Sequence, residues 1–466
     1  MNGRHYSPRS VTIVATELTW ILLTLAGAIT VELVRHHASL RLNQAVQQVG
    51  FAMALYLISF YYCDLYNFTG APLRRDLVST VVRAFSVLAI VFGVIFLCTT
   101  WLAFGSATMF VHLSITIAFV LAVRTRIDAI LARFGIVTKI VIVGTGPEAR
   151  QLAQEILRRH EYGHEVCCFV ESDGQTDPVQ LRTANPGVRN VPVIASAQLP
   201  EFAREARIKR ILVATADLGN ALPVDDLLLC KTDGYEVEDG HTFYERLLGR
   251  IFIAGLNPQW LIFSDGFVRS GSARAVKRIL DVVAATCLLV LTAPLCAVVA
   301  LAIKLDDRGP ALFRQKRVGR HGACFNLFKF RSMRVDAEAE TGPTWAESND
   351  VRVTRVGRCI RKLRIDEIPQ AWNVLRGEMS FVGPRPERPE FVASLRAVVP
   401  YYDQRHAVHP GITGWAQVSL PYGATAEDAR DKLEYDLYYL KNFSVLMDAF
   451  IMFRTIKIIL FGWGSR

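Results

Sequence analysis

The chain has 466 residues, 51% of them hydrophobic, a mean hydropathy of +0.25, and 53 Lys and Arg against 43 Asp and Glu for a net charge of +10. That length exceeds one ordinary core and predicts about three domains, and that hydropathy argues against a wholly soluble chain. No finger, homeodomain or RNA-binding signature accompanies the basic surplus, which points away from nucleic acid and toward anionic lipid and phosphate. The nine cysteines are scattered, with no C-x-x-C pair, and Cys167-Cys168 sit in an apolar strand-like run. Reduced thiols are predicted rather than a disulfide framework or a zinc site.

The first third reads as four membrane helices, Val11 to Val34, Ala45 to Asn67, Ala84 to Phe104 and Thr108 to Val123. Each is near the roughly 20 residues that cross the hydrocarbon core. The first has no small-residue cleavage site after a short apolar run, so it is not a cleavable signal. Arg74, Arg75 and Arg83 follow span two, and Arg124, Arg126 and Arg133 follow span four, while the link between spans three and four is uncharged. The positive-inside rule then puts both ends of the bundle in the cytoplasm, with Arg35 and Arg41 on the outer link as the exception. Glu17, Glu32 and Asp64 lie near span ends, and structural roles are predicted for them.

After residue 137 the pattern changes to apolar strand-like runs at Lys139 to Val143, Glu165 to Val170, Val191 to Ile194 and Arg210 to Ala214, with helical patterns between them. That alternation predicts a parallel sheet covered by helices. Gly144-x-Gly146-x-x-Ala149 has the form of a dinucleotide turn, and Gly144 and Gly146 are the nucleotide-binding candidates. A tight strand-to-helix turn needs glycine without a ligand too. Glu171 and Asp173 are the only acids placed to meet a ribose.

Ile279 to Leu305 is apolar apart from Asp281 and Lys304, with Ala293-Pro294 at its middle and basic residues on both flanks. Proline removes a backbone donor and restricts the residue before it. With both ends preferring the cytoplasmic side, a helix that enters the membrane, breaks at Ala293 and Pro294 and returns is predicted over residues 277–305, against the alternative of a kinked fifth span. Phe443 to Trp463 is apolar but interrupted by Asp448, Arg454 and Lys457, and predicts an interfacial amphipathic helix. The domains drawn from these patterns are 1–133, 134–262 and 263–466.

The chemistry concentrates in Lys362-Leu-Arg-Ile-Asp-Glu-Ile-Pro-Gln370 and Phe381-Val-Gly-Pro-Arg-Pro-Glu387. Adjacent carboxylates, Asp366 and Glu367, can hold a divalent cation or attack phosphorus, and arginines bind phosphate through paired planar hydrogen bonds. That combination suits phosphoryl transfer, which is mostly positioning and charge neutralisation.

Seven ordered motifs carry a family resemblance: Lys277-Arg278-x-x-Asp281, Gly309-Pro310, Arg314-Gln315-x-Arg317-Val-Gly319, Phe328-Lys-Phe-Arg-Ser-Met333, Asp366-Glu-x-Pro-Gln370, Met379-Ser-Phe-Val-Gly-Pro-Arg-Pro386 and Pro410-Gly-Ile-Thr-Gly-Trp-Ala-Gln417. Residues 277–466 resemble the catalytic domain of the bacterial polyprenyl-phosphate glycosyl-1-phosphate transferases, the monotopic phosphoglycosyl transferases. The spans and the Rossmann-like region resemble the larger members, which initiate exopolysaccharide or O-antigen synthesis. Phe243-Tyr-Glu-Arg-Leu-Leu-Gly-Arg250 and Trp260 to Phe267 resemble the exopolysaccharide and exosortase subgroup. Where the family break is often Ser-Pro, this chain has Ala293-Pro294.

The resemblance implies a membrane helical bundle, an α/β Rossmann-like domain and an α/β transferase domain with a re-entrant helix. It implies transfer of a hexose 1-phosphate from UDP-glucose or UDP-galactose to undecaprenyl phosphate at the cytoplasmic face of the inner membrane, with release of UMP. It further implies Asp366 as the nucleophile, Glu367 as a ligand of Mg2+ or a general base, inner-membrane lipids as surroundings and a homodimer. Asp436 is implied near the active site among the phosphate-binding residues, where it orients an arginine rather than binding metal.

The residues support these roles. Asp366 reads as a helix N-cap before Pro369, a position that keeps a carboxylate ionised. Arg361 and Arg364 are three apart and can face the dyad; Arg385 is stiffened by its flanking prolines; Lys329 fits a point-charge contact to phosphate. Magnesium prefers few carboxylates plus phosphates and water, so Asp366 and Glu367 suffice as its ligands. Trp415, His406 and His409 read as structural. Two other readings compete. A membrane-tethered nucleotide-sugar epimerase or dehydratase needs a Tyr-x-x-x-Lys pair, which Tyr435 to Lys441 does not supply; a non-catalytic assembly scaffold would leave the dyad dispensable.

Overall fold

The computed structural model describes residues 8–36, 42–66, 74–98, 106–133, 138–158, 164–171, 191–215, 222–253, 256, 258–267, 270–307, 309–335, 352–420, 423 and 425–461. Asp173, Arg308, Arg41 and the side chain of Glu32 lie outside what is described. Contacts divide the chain into two units, residues 1–243 and 244–466.

The first unit opens with four helices, α1 (Pro8–His36), α2 (Leu42–Tyr62), α3 (Arg74–Cys98) and α4 (Ser106–Arg133). Ile21, Leu25, Tyr56, Phe60, Phe85 and Leu88 are in their shared core. Their outer faces are also apolar, with Leu23, Ile90, Leu97 and Phe110 exposed. A helix apolar on all sides is one that faces lipid. Segments of α1, α3 and α4 are long and apolar enough to cross a membrane. Helix α2 carries Asn43, Gln44, Gln47 and Gln48 in its first two turns, and no segment of it is among those long and apolar enough to cross. Glu17 is fully buried, and Arg124 grips it with two bonds of 2.7 and 3.0 Å while donating to the Leu65 carbonyl. This clamp joins α1, α4 and the end of α2, as the structural role predicted for Glu17 requires.

The remainder of this unit is a five-stranded parallel sheet in the order β3-β2-β1-β4-β5. Its strands are β1 (Thr138–Val143), β2 (His164–Glu171), β3 (Val193–Ala195), β4 (Arg210–Val213) and β5 (Glu236–Asp239). Helices α5 (Pro147–Arg158), α6 (Leu199–Glu205) and α7 (Val224–Thr232) connect them, and α8 (Gly240–Leu248) follows. Val141, Val143, Val170 and Ile211 are buried in its core, and the sheet is the parallel one that the alternation of elements predicted.

The second unit contains α9 (Pro258–Phe263), α10 (Gly271–Asp307), the antiparallel hairpin β6 (Leu312–Val318) and β7 (Cys324–Phe330), α11 (Arg355–Lys362), α12 (Gln370–Arg376), β8 (Ser380–Val382), α13 (Pro389–Val398), β9 (Gly411–Thr413), α14 (Trp415–Ser419), α15 (Ala426–Lys441) and α16 (Val445–Phe461). Residues 244–262, expected in the middle domain, belong here, because Ile251, Ile253 and Leu256 are buried against Leu433 and Leu437.

Helix α10 is the fourth segment long and apolar enough to cross a membrane. It buries Asp281, Ala285, Val299 and Ile303 and exposes Val283, Val290, Leu291 and Leu301. Helical conformation runs from Gly271 to Asp307, 37 residues, with Pro294, the expected point of the break, inside it. Pro294 has no N–H to donate to the preceding turn, and its ring crowds the carbonyl there, which favours a bend at this point. Thr292 supplies a hydroxyl near this point, donating to the Leu288 carbonyl at 2.6 Å. Asp281, expected to pair with a cation, accepts the Phe381 backbone N–H at 3.0 Å. Lys277 reaches Asp448 at 2.6 Å and so ties α10 to α16, the predicted C-terminal amphipathic helix.

Candidate active site

Helix α11 ends at Lys362, and the chain reverses through Arg364 in a left-handed conformation (φ 57°) into a short 3-10 turn, Ile365–Glu367. The turn leads into α12, whose N-cap is Pro369. Asp366 is therefore not the N-cap predicted from the sequence. It sits before a seven-residue helix, and its electrostatic setting comes from side chains rather than a helix end. Asn373, fully buried on α12, accepts from the Phe328 backbone N–H (3.0 Å) and donates to the Asn326 carbonyl (2.7 Å). These bonds stitch α12 to β7 and bring Lys329, on β7, to the dyad.

Lys329 Nζ lies 3.1 Å from Glu367 Oε1, and an Arg385 guanidinium nitrogen lies 3.4 Å from the same oxygen. Burial pushes the Glu367 carboxyl up, but Lys329, then Arg385 and Arg364, outweigh it and hold it at about 2. Asp366 differs from its neighbour. It is only 8% exposed, and among the described residues no hydrogen bond or ion pair engages its carboxylate. Burial raises its pKa, Lys329 opposes that, Glu367 adds to it, and Arg361 and Arg385 oppose it again. Arg361 is near enough to lower the Asp366 pKa and Arg364 near enough to lower that of Glu367, and among the described residues neither guanidinium forms an ion pair. The site is a buried, uncommitted carboxylate in a cationic field, beside a second carboxylate that anchors the cations.

Asp436 stands elsewhere. It is 1% exposed on α15 and accepts two bonds from Arg405, at 3.1 and 2.8 Å. Arg405 also donates to the Tyr402 hydroxyl (2.6 Å) and the Arg385 carbonyl (3.1 Å). Asp436 orients an arginine, as expected, but it is sealed behind that arginine and does not reach a phosphate. Arg317 supports the same loop from the other side, donating to the Pro386 carbonyl at 3.0 Å. Asn373 and Arg405 were not singled out in the sequence. The Asp-Gln-Arg-His run around Arg405 has the composition of a solvated turn, and only the paired presence of buried Asp436 signals otherwise. Trp415 is buried and donates to the Gly249 carbonyl, in keeping with a structural role.

Among the described residues no group of three His, Cys, Asp or Glu side chains is arranged to hold a metal. Two carboxylates meet the needs of a magnesium ion that retains water and substrate phosphate. The free carboxylate of Asp366 fits such an ion, while Glu367 Oε1 is already engaged by two cations.

The glycine turn of the first unit gives a packing reason for only one of its two glycines. Gly144 (φ +114°) is required because a Cβ there would collide with the Ala214 carbonyl of the neighbouring strand. Gly146 faces open space. In the first turn of α5, where a pyrophosphate would sit, Glu148 is buried with its Oε2 3.8 Å from His241. Burial and then Asp239 push the Glu148 carboxyl up.

A family profile for bacterial sugar transferases matches residues 272–462, and one for a CoA-binding domain matches residues 63–216. A UDP-N-acetylgalactosamine-undecaprenyl-phosphate N-acetylgalactosaminephosphotransferase of Aeromonas hydrophila is 46% identical over 222 residues, covering 48% of this chain and 52% of that protein. An undecaprenyl-phosphate glucose phosphotransferase of Komagataeibacter xylinus is 35% identical over 77% of this chain and 64% of its own length. The exopolysaccharide production protein PSS of Rhizobium leguminosarum bv. phaseoli is 42% identical over 39% of this chain and 93% of its own length. The chain thus spans 52% and 64% of the first two relatives. With the dyad, its cations and the supporting Arg385 loop all inside the matched region, the chain belongs to the bacterial sugar transferase family.

Proposed function

We propose that the chain transfers a hexose 1-phosphate from a UDP-sugar to undecaprenyl phosphate, the committing step of a surface polysaccharide. The observation that carries this reading is Asp366: buried, without an internal partner, and facing Lys329, Arg361 and Arg385. In the first step an Asp366 carboxylate oxygen attacks the phosphorus that bears the sugar. The bond from that phosphorus to the bridging oxygen breaks, and UMP leaves with the electron pair. Lys329 and Arg385 neutralise the charge that develops on the phosphoryl oxygens, and Arg361 steadies the attacking group. In the second step an oxygen of the lipid phosphate attacks the phosphorus and the Asp366 carboxylate is released. Magnesium, held by Asp366 and Glu367 with the donor phosphates, would neutralise pyrophosphate charge. Glu367, held ionised, keeps Lys329 and Arg385 in place throughout.

Glucose is proposed as the sugar because the relative matched over 77% of the chain is a glucose phosphotransferase. The inner-membrane location, with the dyad on the cytoplasmic side, is supported by the Arg124 and Arg126 flank of α4 and by basic residues at both ends of α10. The test is UMP release from UDP-glucose, UDP-galactose and UDP-N-acetylgalactosamine by the full chain with undecaprenyl phosphate and magnesium. Asp366→Asn is expected to lower release by at least about 10³-fold and to abolish a sugar-phosphate adduct in mass spectra of the wild type. Full turnover by this variant would defeat the reading.

A further inference from the structure

The segment at the start of the second unit is bound to α15 and its C-cap, and to Trp415 of α14, by polar contacts that the reaction above does not use. Glu245 accepts from Lys441 Nζ at 2.6 Å and from the Asn442 side chain at 3.1 Å. The Gly249 carbonyl accepts from the Trp415 indole N–H at 2.7 Å. The Ile251 N–H donates to the Glu434 carbonyl at 3.0 Å, and the Ile253 N–H donates to its carboxylate at 3.2 Å. Arg250 lies 3.4 Å from the other carboxylate oxygen. Beneath these bonds Ile251 and Ile253 are buried against Leu433 and Leu437. Residues 245–253 therefore form a strap along α15.

Two positions beyond Glu434, the same helix carries Asp436. At about 100° per residue those side chains leave the helix on opposite faces. One face holds the strap, and the other holds Arg405, which in turn holds the Arg385 carbonyl. A rotation or axial slip of α15 would move Asp436, then Arg405, then the loop that presents Arg385 to the dyad. Packed interiors transmit such displacements because they have little free volume.

We propose that Glu434, acting through the strap and α15, is a positioning residue for Arg385. The inference rests on the reading that Arg385 holds the transferring phosphate. Burial, opposed by Arg250, pushes the Glu434 carboxyl up to about 7, so the group serves as a hydrogen-bond acceptor whether charged or neutral.

The test is a double-mutant cycle on the full chain in detergent, following UMP release. Glu434→Ala is expected to lower kcat about tenfold with less than about a twofold change in the donor KM, and Glu434→Gln, which keeps the acceptor for Ile253, to stay within about twofold of wild type. In an Arg385→Ala background, Glu434→Ala is expected to cost nothing further. Should Glu434→Ala not accumulate in membranes, Trp415→Phe removes the bond to Gly249 and is expected to show the same loss and the same non-additivity. Losses that multiply across the cycle, or an unchanged kcat in a folded Glu434→Ala variant, overturn the proposal. An Arg385→Ala variant with full activity would instead overturn the role of Arg385, and Asp366→Asn tests the reaction independently of both.

Discussion

Two adjacent carboxylates in one turn are given opposite electrostatic settings by their neighbours. Glu367 shares one oxygen with Lys329 and Arg385 and stays ionised. Asp366 is buried without a partner, and its ionisation depends on those same cations from a distance. Lys329→Met removes the largest force opposing the rise in the Asp366 pKa. The expected outcome is a kcat lower by about 10²-fold and an acid limb of the rate profile displaced to higher pH. Lys329→Arg restores the charge and is expected to return the limb toward its original position. UMP release measured across pH checks both. In stability the signs are opposite for the two acids. Glu367, depressed on folding, stabilises the chain above its unfolded pKa and loses that contribution as pH falls toward about 2. Asp366, raised on folding, contributes only under acid conditions and is a net cost at neutral pH.

Placement of the dyad is the work of short elements. The left-handed Arg364 ends α11, and Asn373 locks α12 onto β7. Asn373→Ala would leave the Phe328 N–H and the Asn326 carbonyl without their partner in a dry interior. Its expected cost is about 2–3 kcal/mol, read as a lower unfolding temperature, together with a loss of activity from misplaced Lys329. Elements of regular pattern were legible in the sequence. The apolar runs found β1, β2 and β4, and the motif spacing picked out Lys329 and Arg385, which the structure brings to Glu367. Strand β5, Glu-Val-Glu-Asp, was not found because it has one apolar residue and gains its place from pairing with β4. The Arg364 conformation left no trace because arginine has no preference for it. Pro294 was legible as a place where a long apolar helix must bend, because proline lacks a backbone donor.

At the scale of the chain, an apolar bundle, a parallel sheet and a transferase fold are joined in one polypeptide. Composition revealed the first, alternation of elements the second and motif order the third. The segment 244–262 was misassigned because nothing in its local pattern says which core it joins; only its long-range partners Leu433 and Leu437 do. The bundle can be tested separately. Glu17→Leu would strand Arg124 among apolar helices and is expected to cost about 3–5 kcal/mol, seen as reduced membrane accumulation. The double change Glu17→Leu with Arg124→Leu is expected to recover most of the loss, since no charge is then left uncompensated.

Among the described residues, Lys329, Arg361, Arg364 and Arg385 act on two acidic side chains, Asp366 and Glu367, so the site carries a surplus of positive charge. Under the proposed reaction, one such surplus must serve two anions in succession, a departing nucleotide and an arriving lipid head. Both cannot occupy it together. Vacating the seat becomes a condition for the second half of the cycle, and accumulated UMP should act as a brake that competes with the lipid rather than with the sugar donor alone.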